Sequence, residues 1–270
     1  MRVRAGTAAK IVIGVGAAIV VTRKLARMAS SNRRPQAPPE TDIRRIQVTY
    51  GRYAPWYDRL VSLISLGQER ALRREAIRFL QPAVGAKVLD LACGTGANFP
   101  YLQEAVGPEG RIIGVDCTKQ MLEQARRRVQ RAGWQNVTLL QDDVTRLELG
   151  QAVDAALCTL AFGFIPASQR REVLRRLAAA LHPGGRILVV DALLVHHPPL
   201  AMLANTLIRA LCRPWIPSSI REAYWEARPW EDLRDLVEQI EYREFLGCHD
   251  ILSCRHEGSI DPAFGVRRFS

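Results

Sequence analysis

The chain has 270 residues, 48% of them hydrophobic and 24% charged, a composition that supports one sizeable folded core. Its net charge of +11 is concentrated at one end, because residues 1–34 hold eight basic residues and no acidic one. The remainder therefore carries only +3, which argues against a nucleic-acid partner. No C-x-x-C pair and no H-x-x-x-H spacing occurs, so no metal site is expected.

The N-terminus contains an apolar run, Ile11–Val21, bounded by basic residues on both sides. Extended to Ala5–Thr22, it would reach about 27 Å as a helix, close to the ~30 Å of a bilayer core. The basic residues directly after the run disfavour signal cleavage, and the larger basic cluster there places the rest of the chain in the cytoplasm. We expect a membrane anchor or interfacial helix over 1–34, with a disordered or targeting segment as the alternative.

Residues 35–83 are expected to form a linker followed by helices that cap the core. Val88–Leu91 then reads as a buried strand, Cys93–Gly96 as a tight glycine turn, and a helical pattern opens at about Ala97. Such a turn lets the backbone approach a ligand closely. Asp90, just before the turn, would repel a pyrophosphate but attract a cationic amino group. A dinucleotide site would also need glycine where the chain has Phe99.

A second predicted strand, Arg111–Asp116, ends in an acid. Asp116 follows Gly96 by 20 residues, the offset at which a carboxylate accepts both hydroxyls of a ribose. The next predicted helix, Lys119–Arg131, has Met121 in its first turn. This methionine would pack against an adenine ring or simply belong to the core.

Three more strands are predicted, at Val137–Val144, Val153–Leu160 and Arg186–Asp191. A helix at Ser168–Leu181 and a turn at His182–Gly185 separate the last two of them. Strands that alternate with helices predict an α/β sheet. A final helix and two strands, Glu241–Leu246 and His249–Cys254, close the chain.

The glycine turn with Asp90 resembles motif I of the class I S-adenosylmethionine (SAM) methyltransferases, and Leu181–Arg186 resembles their L-x-P-G-G-x element. The resemblance implies an α/β, Rossmann-like, seven-stranded and mostly parallel sheet, with helices on both faces and an antiparallel last strand. To this we add the N-terminal hydrophobic helix. It also implies a SAM-dependent methyltransferase domain over 84–270 and S-adenosyl-L-methionine as cofactor. A NAD-type oxidoreductase and a non-catalytic SAM-binding module are the weaker alternatives.

The resemblance also implies which residues hold the cofactor. An acid after the third strand accepts from the adenine amine in such enzymes; Asp143 aligns best and Asp142 is second, although either can instead cap the turn that follows. The full set of expected cofactor-binding residues is Asp90, Cys93, Gly94, Thr95, Gly96, Asp116, Cys117, Met121, Asp142, Asp143, Val144 and Thr159.

Two further segments bear on the methyl acceptor. Tyr50–Asp58 resembles the opening of quinone-biosynthesis and phospholipid N-methyltransferases, and Cys93–Phe99 matches the CGTGANF turn of membrane-anchored thiol methyltransferases. Residues 192–230 form an apolar insertion on the substrate side, in which Leu200–Cys212 could be core, a pocket lid or an interfacial helix. These features favour a lipophilic acceptor: a phospholipid amine, a quinone precursor or a thiol. A soluble metabolite or a protein is the alternative.

No residue is an unambiguous catalytic base. The weak candidates are Tyr53, Tyr57 and His196, and Asp191 and His197 are further possibilities. The segment Thr159–Phe162 lacks the [DN]-P-P-[FYW] motif of nucleic-acid amino-methyltransferases, which again argues against a nucleic-acid substrate.

Overall fold

A computed structural model describes residues 40–65, 67–148, 152–192, 239–245, 249–255 and 265–268, with a few positions between 206 and 221. Three helices precede the sheet: α1 (Glu40–Tyr53), α2 (Tyr57–Ile64) and α3 (Gln68–Leu80). They lie within residues 35–83, where the sequence predicts a linker followed by cap helices.

Five parallel strands form the first part of the sheet, with neighbours β3-β2-β1-β4-β5. The strands are β1 (Lys87–Leu91), β2 (Arg111–Asp116), β3 (Val137–Gln141), β4 (Val153–Thr159) and β5 (Leu181–Ala192). The intervening helices are α4 (Phe99–Val106), α5 (Lys119–Ala132) and α6 (Ala167–Ala180). This alternation confirms the Rossmann-like α/β prediction.

The expected total of seven strands with an antiparallel last strand is wrong. Three strands follow β5, namely β6 (Gln239–Phe245), β7 (His249–Arg255) and β8 (Gly265–Arg268), so the described sheet has eight strands in the order β3-β2-β1-β4-β5-β7-β6-β8. The antiparallel strand is β7, which pairs with both β5 and β6. The last strand, β8, runs parallel to β6 at the edge. A four-residue edge strand offers too short a pattern to be found from sequence.

Side chains of β1 alternate between two hydrophobic clusters, because successive residues of a strand point to opposite faces. Leu89 and Leu91 join the cluster that includes residues of α6, whereas Val88 joins the cluster that includes residues of α3, α4 and α5. Helices therefore cover both faces of the sheet, as expected. Asp90 shares the face of Val88 and is fully buried there, so the acid before the glycine turn points into the interior.

Several element boundaries differ from the expected ones. The third strand ends at Gln141 rather than at Val144, because backbone hydrogen bonds of Asp143 begin a turn. The helix after the glycine turn begins at Phe99, two residues late. The predicted turn 182–185 lies inside β5: Leu181 pairs with Val153, and pairing resumes at Arg186 opposite Ala155 after a register shift. Gly184, at φ +80°, permits that irregularity.

The predicted N-terminal anchor (1–34), His196, His197 and most of the insertion 192–230 lie outside the described residues. Within the part of the chain that is described, no helix is both long enough and apolar enough to cross a membrane.

The glycine turn generates a test of the fold. Gly96 and Gly133 have nearly the same φ, +73° and +71°. A methyl group on Gly96 would lie 2.4 and 2.5 Å from two ring carbons of Phe99. A methyl group on Gly133 would have no atom within 4 Å. Both alanine variants suffer a left-handed backbone, at about 1–2 kcal/mol. Only Gly96→Ala adds overpacking, at about 1–3 kcal/mol. We expect urea unfolding to show the larger loss for Gly96→Ala; equal losses would contradict the packing described here.

Candidate active site

A cleft of about 970 Å³, part of it open to solvent, lies at the carboxyl ends of β1, β2 and β4. In open α/β sheets this edge is where ligands bind. Its walls come from the glycine turn, the starts of α5 and of the β3–β4 connection, and the two helices α1 and α2. The lining residues used below are Ile43, Ile46, Tyr50, Tyr57, Arg73, Cys93, Gly94, Thr95, Asp116, Cys117, Met121, Asp143, Val144, Thr159 and Phe164.

The glycine turn leaves open space for a ligand. Gly94 and Gly96 have φ values of +56° and +73°, and no atom lies within 4 Å of the position that a Gly94 side chain would take. Phe99, which stands where a dinucleotide site needs its third glycine, is fully buried against Gly96 and Gly114. An aromatic ring therefore stands where a dinucleotide site needs glycine for close packing of helix and strand, which disfavours a pyrophosphate site.

Asp116 fastens the second strand to the glycine turn. One carboxylate oxygen accepts from the backbone N–H of Gly94 at 2.9 Å, and the other accepts from the N–H of Thr118 at 2.7 Å. Burial raises the pKa of Asp116, while the hydrogen bonds from Thr118 and Gly94 lower it. A carboxylate has about four acceptor positions and Thr118 and Gly94 occupy about three of them, so Asp116 can still accept from a ligand hydroxyl in the cleft that it lines.

Asp90 lies beneath the cleft in a buried polar cluster. The Asn98 amide nitrogen lies 3.0 Å from both Asp90 carboxylate oxygens and 2.8 Å from Thr159 Oγ1. Arg73 donates to Asn98 Oδ1 at 2.7 Å and to Thr159 Oγ1 at 3.0 Å. Burial raises the pKa of Asp90 to about 7, although the Asn98 hydrogen bond and the Arg73 charge lower it. The cluster thus joins β1, β4, α3 and the residue that precedes α4.

Sequence reasoning assigned no role to Arg73 or Asn98. A signal for Arg73 was present: it falls on the buried stripe of α3, between Leu72 and Ala76, where every other member is apolar. A buried arginine on such a stripe needs partners, and Asn98 and Thr159 are among them. Asn98 gave no comparable signal, because an asparagine after a glycine turn is also typical of a helix cap.

Helices α1 and α2 are fastened over the cleft by polar contacts. Gln47 of α1 donates to the carbonyl oxygen of Cys117 at 3.0 Å. Asp58 of α2 accepts from Thr95 Oγ1 at 2.5 Å in the glycine turn and also pairs with Arg128 of α5. Asp58 therefore ties the cap to the two elements between which a ligand would lie.

An aromatic group forms the apolar side of the cleft. The ring of Tyr50 packs edge-on against Tyr57 at 5.8 Å and against Phe164 at 5.4 Å between centroids. Ile43 and Ile46, on the same face of α1 as Tyr50, extend this wall. The cleft thus combines acidic side chains on the sheet side with an apolar, aromatic surface on the cap side.

The other predicted residues divide into those that line the cleft and those that do not. Val144, Thr159, Cys93, Cys117 and the buried Met121 line it. Asp143 also lines it, and its carboxylate caps the N–H of Thr145 at 2.9 Å, so the second of its two expected roles is present. Asp142 is exposed and is not a lining residue. Gly96, the last residue of the turn, lies against Phe99 and is not a lining residue.

Of the candidate bases, Tyr57 lines the cleft and Tyr53 does not. His196 and His197 lie outside the described residues, and Asp191 is placed only as part of β5. No group of three or more potential metal ligands occurs among the described residues.

The fold, the glycine turn and the acids at the strand ends define a class I SAM-dependent methyltransferase. The chain belongs to the ubiE/COQ5 methyltransferase family, whose model matches residues 40–210. It is therefore an enzyme, and S-adenosyl-L-methionine is its cofactor. The cleft suits that cofactor, because acidic side chains and open space over Gly94 meet at the strand ends.

Relatives agree with this assignment, and a solved structure agrees with the fold. A demethylmenaquinone methyltransferase of Listeria monocytogenes (serotype 4b, strain CLIP80459) is 29% identical over 234 residues, or 85% of this chain and 98% of the relative. One from Lactococcus lactis is 27% identical over 197 residues, covering 71% and 77%. A SAM-dependent methyltransferase from Aquifex aeolicus superposes with a TM-score of 0.53 at 19% identity over 68% and 88% of the two chains, which supports the fold.

The buried carboxyl predicts a pH dependence of stability. Between about pH 4 and 7 the folded protein holds a proton on Asp90 that the unfolded chain has lost, so the free energy of unfolding falls as pH rises. The pKa of Asp90 is raised from 3.8 to about 7, and each pKa unit corresponds to about 1.4 kcal/mol. The free energy of unfolding is therefore lowered by roughly 4 kcal/mol above pH 7. In Asp90→Asn this contribution is absent, so we expect a flatter profile in urea unfolding without cofactor. Asp154→Asn, at an exposed acid that accepts from Lys87 N–H, should keep the wild-type slope.

The cap contacts predict a role of Asp58 in cofactor affinity. We expect Asp58→Ala to weaken SAM binding about tenfold in calorimetric titration, because the cap loses its hydrogen bond to Thr95 and its pairing with Arg128. Glu75→Ala removes a comparable contact, to Arg78 on the exposed side of α3, and should leave the affinity unchanged. Equal affinities for the two variants would show that the cap does not contribute to cofactor binding.

Proposed function

We propose that this enzyme methylates a lipophilic quinone precursor of the demethylmenaquinone type, taken in its reduced, quinol form. The observation that carries the proposal is the alignment with a demethylmenaquinone methyltransferase over 98% of that protein's length. The cleft supports it, because its cap side is apolar and aromatic. A planar aromatic acceptor can pack against such rings.

The sheet side of the cleft would hold the cofactor. We assign Asp116 to the ribose hydroxyls, because its carboxylate lines the cleft with acceptor capacity to spare. Asp143 and Val144 are assigned to the adenine, next to Met121. The glycine turn and the acid beneath it, Asp90, favour the cationic end of the cofactor. These roles follow the family resemblance together with the positions of the residues.

The cofactor supplies an electrophilic methyl group on a sulfonium that is already an activated leaving group. What the protein must add is orientation and exclusion of water. Tyr50, Tyr57 and Phe164 would orient the acceptor ring, and the tie between Asp58 and Thr95 would hold α2 over the reacting atoms. The acceptor is a quinol because its hydroxyl-bearing ring is nucleophilic, whereas the oxidised quinone is itself an electrophile. Formation of the new carbon–methyl bond releases one proton.

The test is methyl transfer from SAM labelled in its methyl group to demethylmenaquinol in detergent, with extraction and mass identification of the product. We expect labelled menaquinol with the wild type and none with Gly94→Arg, whose side chain fills the cleft. Gly133→Arg is the matched control, because that glycine has nearly the same left-handed φ and equally open surroundings but lies away from the cleft.

The same assay is run in parallel with phospholipid amines and with small thiols, because the sequence also suggests these two classes of acceptor. Transfer to either of these, with none to the quinol, would overturn the quinone assignment while leaving the methyltransferase class intact. Oxidised demethylmenaquinone should accept no label; equal transfer to it would contradict the proposed nucleophile.

A further inference from the structure

The two cap helices have an outer face of unusual composition. Of the five large hydrophobic residues that are most exposed among the described residues, three lie on or between α1 and α2: Val48 (72% exposed), Trp56 (63%) and Leu63 (72%). Exposed single apolar residues are ordinary, but three on two consecutive helices and the turn that joins them are a local concentration. We call Val48, Trp56, Leu63 and the four exposed arginines of α1 and α2 the cap face.

The cap face also carries cations. Helices α1 and α2 contain four arginines, all exposed, and three acids: Glu40 and Asp42 at the start of α1, and Asp58, which is paired with Arg128. The four are Arg44, Arg45, Arg52 and Arg59. An outer surface that combines cations with exposed apolar groups is complementary to an anionic surface with an apolar interior.

The geometry of α1 separates this face from the cleft. At about 100° per residue, Arg44, Val48 and Arg52 fall within one arc of the helix, and the cleft-lining Ile43, Ile46 and Tyr50 fall on the opposite side. The same helix therefore lines the cleft with one face and presents arginine and valine to the outside with the other.

We propose that the cap face docks on the surface of a bilayer that contains anionic phospholipids. Tryptophan favours the boundary between headgroups and acyl chains, and arginine can lay its stem along apolar groups while its guanidinium reaches a phosphate. Helices with one apolar and basic face lie in that boundary. Docking in this way places the cleft directly above the membrane, one helix away from the lipid. The surface is distinct from the N-terminal 34 residues.

The first test is co-sedimentation of the full-length protein with vesicles of phosphatidylcholine and phosphatidylglycerol, without cofactor or acceptor. We expect the double variant Arg44→Glu/Arg52→Glu to bind the vesicles about tenfold more weakly, because each basic residue near an anionic surface adds to the electrostatic attraction. Arg126→Glu/Arg127→Glu makes the same charge change at exposed positions of α5 and should bind like the wild type. The Val48→Asp variant should likewise bind the vesicles more weakly than Val84→Asp. Val84 lies outside the cap and is at least as exposed as Val48 (81%).

Hydrogen exchange locates the contact and keeps the test independent of the N-terminal segment. We expect backbone amides of residues 44–63 to exchange more slowly when the vesicles are added. If the protein sediments but those amides are unchanged, or if both charge pairs weaken binding equally, the proposal is overturned. A wild type that does not bind the vesicles overturns it as well. Because neither methyl donor nor acceptor is present, these outcomes are separate from any failure of methyl transfer.

Discussion

The burial of one carboxyl group, Asp90, organises the rest of the site. A fully buried acid has to be hydrogen-bonded or neutral, and this one is held by Asn98 and kept partly neutral by its surroundings. Asn98 follows the glycine turn directly, and its amide oxygen accepts from Arg73. The turn, the end of β4 and the cap-side helix α3 are therefore positioned by one buried cluster of hydrogen bonds.

The two sides of the cleft are built differently. The sheet side consists of strand ends and buried polar groups. The cap is joined to the glycine turn and to α5 by polar contacts of Gln47 and Asp58, and its Tyr50 packs on Tyr57 and Phe164. Polar contacts that are partly exposed to water are individually weak.

The sequence predicted the elements with strong patterns and missed those with weak ones. The five parallel strands, the glycine turn and the helices on both faces follow from alternating apolar segments and glycine positions. The edge strand β8 was missed because it has four residues, and the pairing of β5 from Leu181 was missed because Pro183, Gly184 and Gly185 read as a turn. Local composition cannot reveal a strand whose hydrogen bonds are supplied by a distant neighbour.

Local sequence by itself determined the candidate cofactor site, since Asp90, the glycine turn and Asp116 are set by short-range spacing along the chain. Only the tertiary structure decided what surrounds those residues: that Arg73 and Thr159 meet at Asn98, that Asp58 spans from Thr95 to Arg128, and that α1 has one face on the cleft and one outside. These contacts join residues 25 to 86 positions apart. Such partners become neighbours only when helices pack on the sheet, so no local pattern specifies them.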